Sequence, residues 1–304
     1  MSAEEHAFLA GRRLVIFGAG YVGAAVALAA KARGLEVSAL TRNPVKAQAL
    51  NAAGVRTVVS ELASSDWHGQ LPADTDYVLN CVSSGGGGPE GYRRSYVDGQ
   101  RSLLTWAGGT SSPGRLVYTG STSVYPQEGG IRVDEVAPTD GATGTARVLL
   151  EAEALVRAWR GNWFILRLAG IYGPARHHLL DQLRAGSGEL AGRGEHHLNL
   201  IHRDDIVLAI FAAFAAPASV PSGVFNVADD GAAPKAALAE WIAARLCLPA
   251  PTFSGEPAMG RRAITPDRII ANDRIKRVLG WRPQYPTFRE GYESILGTRA
   301  EGPG

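Results

Sequence analysis

Cysteine is nearly absent from this chain: Cys81 and Cys247 are the whole complement. They lie in different segments. They suggest no disulfide framework and no zinc site, and both are expected as small buried hydrophobes. An excess of charge is missing too. The 31 Lys and Arg are balanced by 29 Asp and Glu, a formal net charge of +2. Such a balance offers no footing to nucleic acid or to an anionic membrane surface. No apolar run approaches the roughly 20 residues a membrane-spanning helix needs. The first residues, MSAEEHAFLAGRR, are acidic and then basic, without the apolar core of a signal peptide. A reducing, cytoplasmic location is the resulting expectation. There is no internal repeat, no low-complexity tract longer than the glycine run at 85–88, and no expected metal site.

What is present is ordinary globular composition, with 45% hydrophobic and 20% charged residues. The 304 residues allow one large unit or two smaller ones. The apolar run Leu14-Val15-Ile16-Phe17 ends in glycine, as a buried parallel strand does. A helix is predicted over 21–33 and stopped by Gly34. Strands are then expected at 36–40, 55–59, 77–82, 115–119 and 163–168. Helices are expected at 44–53, 92–106 and 146–160. Alternating strand and helix means βαβ units, a parallel sheet and right-handed crossovers. Beyond Ile171 the alternation loosens into shorter elements at 196–201, 204–215, 224–227, 235–246 and 274–279. The fold class is therefore α/β, a doubly wound parallel Rossmann sheet with a smaller C-terminal substrate lobe. Residues 1–170 form the dinucleotide-binding part. Residues 171–304 form the substrate-facing part, with at least one strand returning to the main sheet.

The chemistry is carried first by Gly18-Ala19-Gly20-Tyr21-Val22-Gly23. This GxGxxG follows a strand and opens a helix, the context a dinucleotide site requires. Gly18 permits the tight turn, Gly20 lets the backbone approach a pyrophosphate, and Gly23 lets helix and strand come close. The free N–H groups of Tyr21, Val22 and Gly23 and the helix dipole then attract phosphate. A ligand-free glycine turn is the plain alternative. The second strand bears on NAD against NADP. It ends Leu40-Thr41-Arg42-Asn43, with no carboxylate to take a ribose 2′-hydroxyl. Arg42 offers a permanently charged planar group to a 2′-phosphate, helped by Thr41 and Lys46. The expected cofactor is NADP, with NAD second. Otherwise, Arg42 is a solvated turn residue. Glu61 and Leu62 fall where an adenine would rest. Cys81, Val82 and Ser83 end the fourth strand, at the carboxyl edge where ligands lie. The glycine run after them is either a flap or a surface loop.

Several further segments, in order, carry a likeness. They are LVYTGSTSVY at 116–125, EAE at 151–153, RLAGIYGP at 167–174, IHRDDI at 201–206, FNVAD at 225–229 and LGWRP at 279–283. With the glycine motif they resemble the short-chain dehydrogenase/reductase superfamily, in its extended and atypical NAD(P)-dependent epimerase/dehydratase branch. The resemblance implies hydride chemistry on a small substrate. It places Ala169, Gly170 and Ile171 beside the nicotinamide. It also places Ser121 at the family's catalytic serine/threonine and Ser123 in the same pocket; both hydroxyls could instead serve only backbone groups. Extended members carry GxxGxxG, so GxGxxG points to an atypical subgroup. The family's Tyr-x-x-x-Lys is missing. Alignment on 151–153 puts Thr145 at the tyrosine and Leu149 at the lysine, and a threonine hydroxyl is a far weaker acid than a phenol. Tyr125, Tyr92, Tyr96, Tyr172, His177, His178 and His202 are the possible substitutes.

The functional expectation is an NADP-dependent oxidoreductase acting at a carbonyl-type carbon. A non-catalytic NADP(H) sensor and a nucleotide-sugar epimerase or dehydratase are the alternatives. A homodimer through helices 92–106 and 146–160 is a further possibility, using Leu149, Leu155 and Trp159 unless these are core. Substrate contacts are expected from the loops 173–197 and 257–265.

Overall fold

The computed structural model describes residues 9–72, 74–84, 86, 88–109, 114–256 and 266–297. Residues 14–17 of β1 (Arg13–Phe17) are at most 1% exposed, as a strand covered on both faces requires. Their side chains alternate. Leu14 and Ile16 enter one core, and Val15 and Phe17 enter another across the sheet. Next come α1 (Tyr21–Ala32), β2 (Glu36–Thr41), α2 (Pro44–Ala52), β3 (Arg56–Val59) and β4 (Tyr77–Asn80). Asn43 starts α2 by accepting the backbone N–H of Lys46, and Pro44 supplies the preset first residue.

The following helix is composite. It runs through α3 (Gly88–Arg93), a π-turn (Arg94–Asp98) and α4 (Gly99–Gly108). It thus starts earlier than the sequence pattern suggests. Then come β5 (Arg115–Ser121), a 3-10 turn (Thr122–Val124), β6 (Ile131–Val133), α5 (Thr145–Arg157) and β7 (Trp163–Leu168). The C-terminal part opens with β8 (Gly170–Tyr172), α6 (His178–Arg184), β9 (Glu189–Leu190), β10 (His197–Leu198) and β11 (Leu200–His202). It continues with α7 (Arg203–Ala215), β12 (Gly223–Val227), β13 (Ala233–Pro234) and α8 (Lys235–Arg245). It closes with β14 (Thr252–Phe253), β15 (Arg268–Ile270), α9 (Asp273–Leu279) and α10 (Phe288–Gly297).

The main sheet has seven parallel strands in the order β12-β7-β5-β4-β1-β2-β3. The chain reverses direction across the sheet between β1 and β4. Their carboxyl ends therefore open a crevice of the kind that takes ligands in doubly wound folds. Helices α1 and α7 bury one face, and α4 and α5 the other. A third core joins Leu180, Leu183, Leu238, Ile242, Phe288 and Tyr292.

Two expectations need correction. The strand expected at 196–201 is two short strands in different sheets. β10 runs antiparallel to β13, and β11 runs parallel to β8. Asn199 separates them, because its carbonyl accepts Gly170 N–H and its side chain bridges Arg268 O and Ile270 N–H. The fourth strand ends at Asn80 rather than Val82, since the Asn80 side chain accepts Val82 N–H and ends the ladder. Helix α10 was not anticipated. Among the described residues no helix is long and apolar enough to cross a membrane.

Candidate active site

The glycine loop sits at the mouth of the crevice. Gly18 has φ of +90°, a left-handed conformation that disfavours a side chain, and an added Cβ would lie 2.6 Å from Val82 N. At Gly23 the same atom would meet Gly18 O at 2.3 Å and Cys81 Sγ at 2.8 Å. Those two glycines are explained by the protein's own packing. Gly20 is different. Its Cβ would meet only Gly18 O, at 3.9 Å. No side-chain packing in the protein demands a glycine there. A phosphate approaching the α1 N-terminus does, and α1 has no side-chain cap on its first N–H groups. The residues present therefore fit a dinucleotide pyrophosphate, with the N–H groups of Tyr21, Val22 and Gly23 facing it.

Cys81 lies under this loop. Its thiol donates to Gly18 O at 3.2 Å, and burial pushes its pKa up to about 12. It is a packing group held as the neutral thiol. Val82 supplies the backbone against which Gly18 fits, and Ser83 is exposed at the crevice edge.

At the end of β2, Arg42 is exposed and has no ion pair or side-chain hydrogen bond among the described residues. Thr41 is buried, and its hydroxyl accepts Asn43 N–H at 3.2 Å. That hydroxyl shapes the turn at the end of β2. Lys46 is exposed on the first turn of α2. Glu61 forms an ion pair with Arg94 at 2.6 Å on the surface. Leu62 is only 5% exposed; its side chain sits against Gly99 and its carbonyl takes Trp67 Nε1–H. Its side chain serves the core.

Ser121 ends β5 half-buried, and its Oγ accepts the backbone N–H of Ser123 at 3.1 Å. The Ser121 hydroxyl proton stays free to donate. Ser123 is exposed beside it. Beneath them, the buried Arg268 donates to Thr122 O at 2.9 Å and holds the 3-10 turn. Nothing in the sequence marked Arg268 for this role, because the contact spans 146 residues. Tyr125 is wholly buried. Its hydroxyl donates to Asn226 at 2.8 Å, and Arg167 lies over its ring at 4.8 Å. That removes Tyr125 from the candidate proton donors. Tyr172 is buried and stacked on Tyr292, and His202 is 1% exposed.

Thr145 is the exposed first residue of α5, and Leu149, one turn on, is 1% exposed in the core. Tyr92 and Tyr96 are half-buried, with ring centroids 4.6 Å apart, on α3 and the π-turn beside α5. Ala169 is buried, and its N–H bonds Val227 O. Gly170 has no room for a side chain, since a Cβ would lie 2.9 Å from Asn199 O. Ile171 is half-buried in β8. Residues 85 and 87 of the glycine run and all of the expected substrate loop 257–265 lie outside the described residues.

A Rossmann sheet with a glycine loop at its switch point and a serine ending β5, two strands from β1, defines a class of dinucleotide-dependent proteins. The sequence comparison specifies the class further. The profile of the NAD dependent epimerase/dehydratase family matches residues 14–228, and the chain belongs to that family. It is 28% identical over 282 residues to protein YeeZ of Escherichia coli K12, covering 90% of this chain and 97% of that one. It is 29% identical over 317 residues to a 3-diazoavenalumate denitrifying reductase of Streptomyces, covering 92% and 98%. The fold superposes on UDP-glucuronic acid 4-epimerase from Bacillus cereus in complex with NAD. There the TM-score is 0.78 at 16% identity, covering 95% of this chain and 100% of the other.

Proposed function

We propose that this chain is an NADP(H)-dependent reductase of the atypical short-chain type. Residues 1–170 would hold the cofactor, and residues 171–304 would supply most of the substrate contacts. The observation that carries the reading is Gly20, a glycine the protein's own packing does not require, at an uncapped helix start. Arg42, exposed and unpaired among the described residues at the end of β2, favours the 2′-phosphorylated cofactor. The reductase named among the relatives is consistent with this choice.

When bound, the nicotinamide supplies or accepts the hydride. The chain's own residues supply position and polarity. Gly18 and Gly20 admit the pyrophosphate, and Arg42 takes the 2′-phosphate. Ser121 already accepts from Ser123 N–H, so its own proton is directed outward to a substrate oxygen. Water or a tyrosine of α3 and the π-turn delivers the remaining proton, because Thr145 and Leu149 cannot. The test is calorimetric titration with NADPH and NADH, then NADPH oxidation over a panel of carbonyl compounds and sugar nucleotides. The reading expects NADPH to bind at least tenfold tighter and to be consumed with some member of the panel. Equal affinities would overturn the NADP assignment.

A second reading, a non-catalytic NADP(H) sensor, is favoured by Thr145 and Leu149 themselves. It expects tight binding and no turnover on any substrate class. An epimerase would retain oxidised cofactor through purification. A homodimer would have to use other surfaces than Leu149, which is core.

A further inference from the structure

Tyr21, the first residue of α1, reaches out of the glycine loop into the C-terminal part. Its hydroxyl donates to Pro174 O at 2.9 Å. The guanidinium carbons of Arg176 and Arg203 each lie 5.4 Å from its ring centroid. Arg203 is paired with Asp204 at 2.8 Å. Arg176 is exposed and has no carboxylate partner among the described residues. One positive charge is thus left unbalanced beside a helix N-terminus that itself repels cations.

The turn that carries Arg176 is tightly specified. Gly173 and Arg176 exchange both backbone hydrogen bonds, at 3.1 and 3.0 Å. Ala175 adopts φ of 58°, the left-handed region that a non-glycine residue enters only under constraint. Gly173 cannot be larger, since a Cβ would lie 2.8 Å from Tyr21 Oη and 3.3 Å from His202 Nε2. His202 is 1% exposed, and its Nδ1 accepts Asp204 N–H, so Nε2 carries the proton. That Nε2 has no acceptor within hydrogen-bonding distance. Gly20, Tyr21 and Arg203 also line an open surface groove of about 580 Å³ between α1 and α7. A strained turn, an unsatisfied buried donor and an uncompensated cation converge on the glycine loop.

We infer that Arg176, seated on Tyr21 and seconded by Arg203, is a cationic clamp for the dinucleotide pyrophosphate. The inference rests on the cofactor reading above and extends it. The phosphates would be held from two sides, by the α1 N–H groups and by a guanidinium delivered from the C-terminal part. Cofactor binding would thereby tie the two parts of the chain together. Arginine suits this role because its planar fork can engage two phosphate oxygens at once.

The test is calorimetry with three probes, NADPH, ADP-ribose and 2′-AMP, on the full chain. ADP-ribose carries the pyrophosphate without the 2′-phosphate, and 2′-AMP the reverse. Arg176→Ala should weaken NADPH and ADP-ribose roughly tenfold, as loss of one charge-assisted contact does, and leave 2′-AMP unchanged. Arg42→Ala should weaken NADPH and 2′-AMP and leave ADP-ribose unchanged. Arg176→Lys should recover part of the loss. The melting temperature of the ligand-free Arg176→Ala protein should match wild type, because Arg176 is exposed. ADP-ribose binding Arg176→Ala as tightly as wild type overturns the clamp. Wild-type protein binding neither NADPH nor ADP-ribose would instead overturn the cofactor reading, and the clamp with it.

Discussion

Glu153 and Arg167 meet through two hydrogen bonds of 2.8 and 2.7 Å, with both side chains at most 3% exposed. The pair ties α5 to β7, and Arg167 then lies over the Tyr125 ring. Removing one partner leaves a buried charge without compensation. Glu153→Gln should cost about 3–5 kcal/mol of stability in urea unfolding. A double replacement, Glu153→Met with Arg167→Met, should cost less than the single one. A single-variant cost under about 1 kcal/mol would show that water reaches the pair.

The glycine loop separates folding from binding. Gly23→Ala forces a Cβ to within 2.3 Å of a carbonyl and should lower the melting temperature of the ligand-free protein. Gly20→Ala meets nothing closer than 3.9 Å, so the fold should survive while cofactor affinity falls at least tenfold. Thermal melts and NADPH titration check both. Equal damage to stability from the two variants would contradict the assignment of Gly20 to a ligand.

Arg42→Ala should reduce NADPH affinity by about 1.5–3 kcal/mol and leave NADH unaffected. Parallel titrations decide it. If NADH affinity falls as much, Arg42 holds the loop rather than the 2′-phosphate.

The two thiols should react at very different rates. Cys247 is exposed, contrary to its expected burial, whereas Cys81 is half-buried with its thiol packed under the glycine loop and its pKa pushed up to about 12. A thiol-specific chromogenic reagent near neutral pH should modify Cys247 quickly in the native protein. Cys81 should react only on unfolding, because the thiolate is the reactive species. Fast native modification of a Cys247→Ser variant would contradict this.

Stability should fall as pH rises from mildly acidic to mildly alkaline. Burial pushes the Asp229 pKa up to about 8 and that of Asp205 up to about 6. Both lie above the ordinary carboxylate value of about 4. Between those limits the native state binds more protons than the unfolded chain, so unfolding free energy declines with pH and levels off above about pH 8. Asp229→Asn should flatten the upper part of that slope. Urea unfolding at a series of pH values checks the sign, and a rise in stability over that window would refute it.

The sheet was legible because its strands are continuous apolar runs, as Leu14–Phe17 shows. The glycine loop was legible as a motif between a strand and a helix, although Gly18 and Gly23 are held by Val82 and Cys81 far along the chain. The burial of Thr41 and Leu62 was not legible in the sequence. Whether a hydroxyl or an apolar side chain faces a ligand or a neighbour depends on atoms far away in the chain. The same holds for Tyr125, whose partner Asn226 lies 101 residues on, and for the break at Asn199. Short strands of two or three residues carry too little periodicity to be divided correctly by pattern alone.

The alternation of strands and helices and the glycine motif at 18–23 were readable from residue order alone. These are short-range matters of periodicity and glycine spacing. That Gly20 has no packing reason to be glycine, that Tyr125 is withdrawn into the core, and that Arg176 is brought to Tyr21 emerged only from the folded packing. Each of those depends on which distant side chains share one small volume, and that is settled by how the helices and the returning strand β12 close on the sheet.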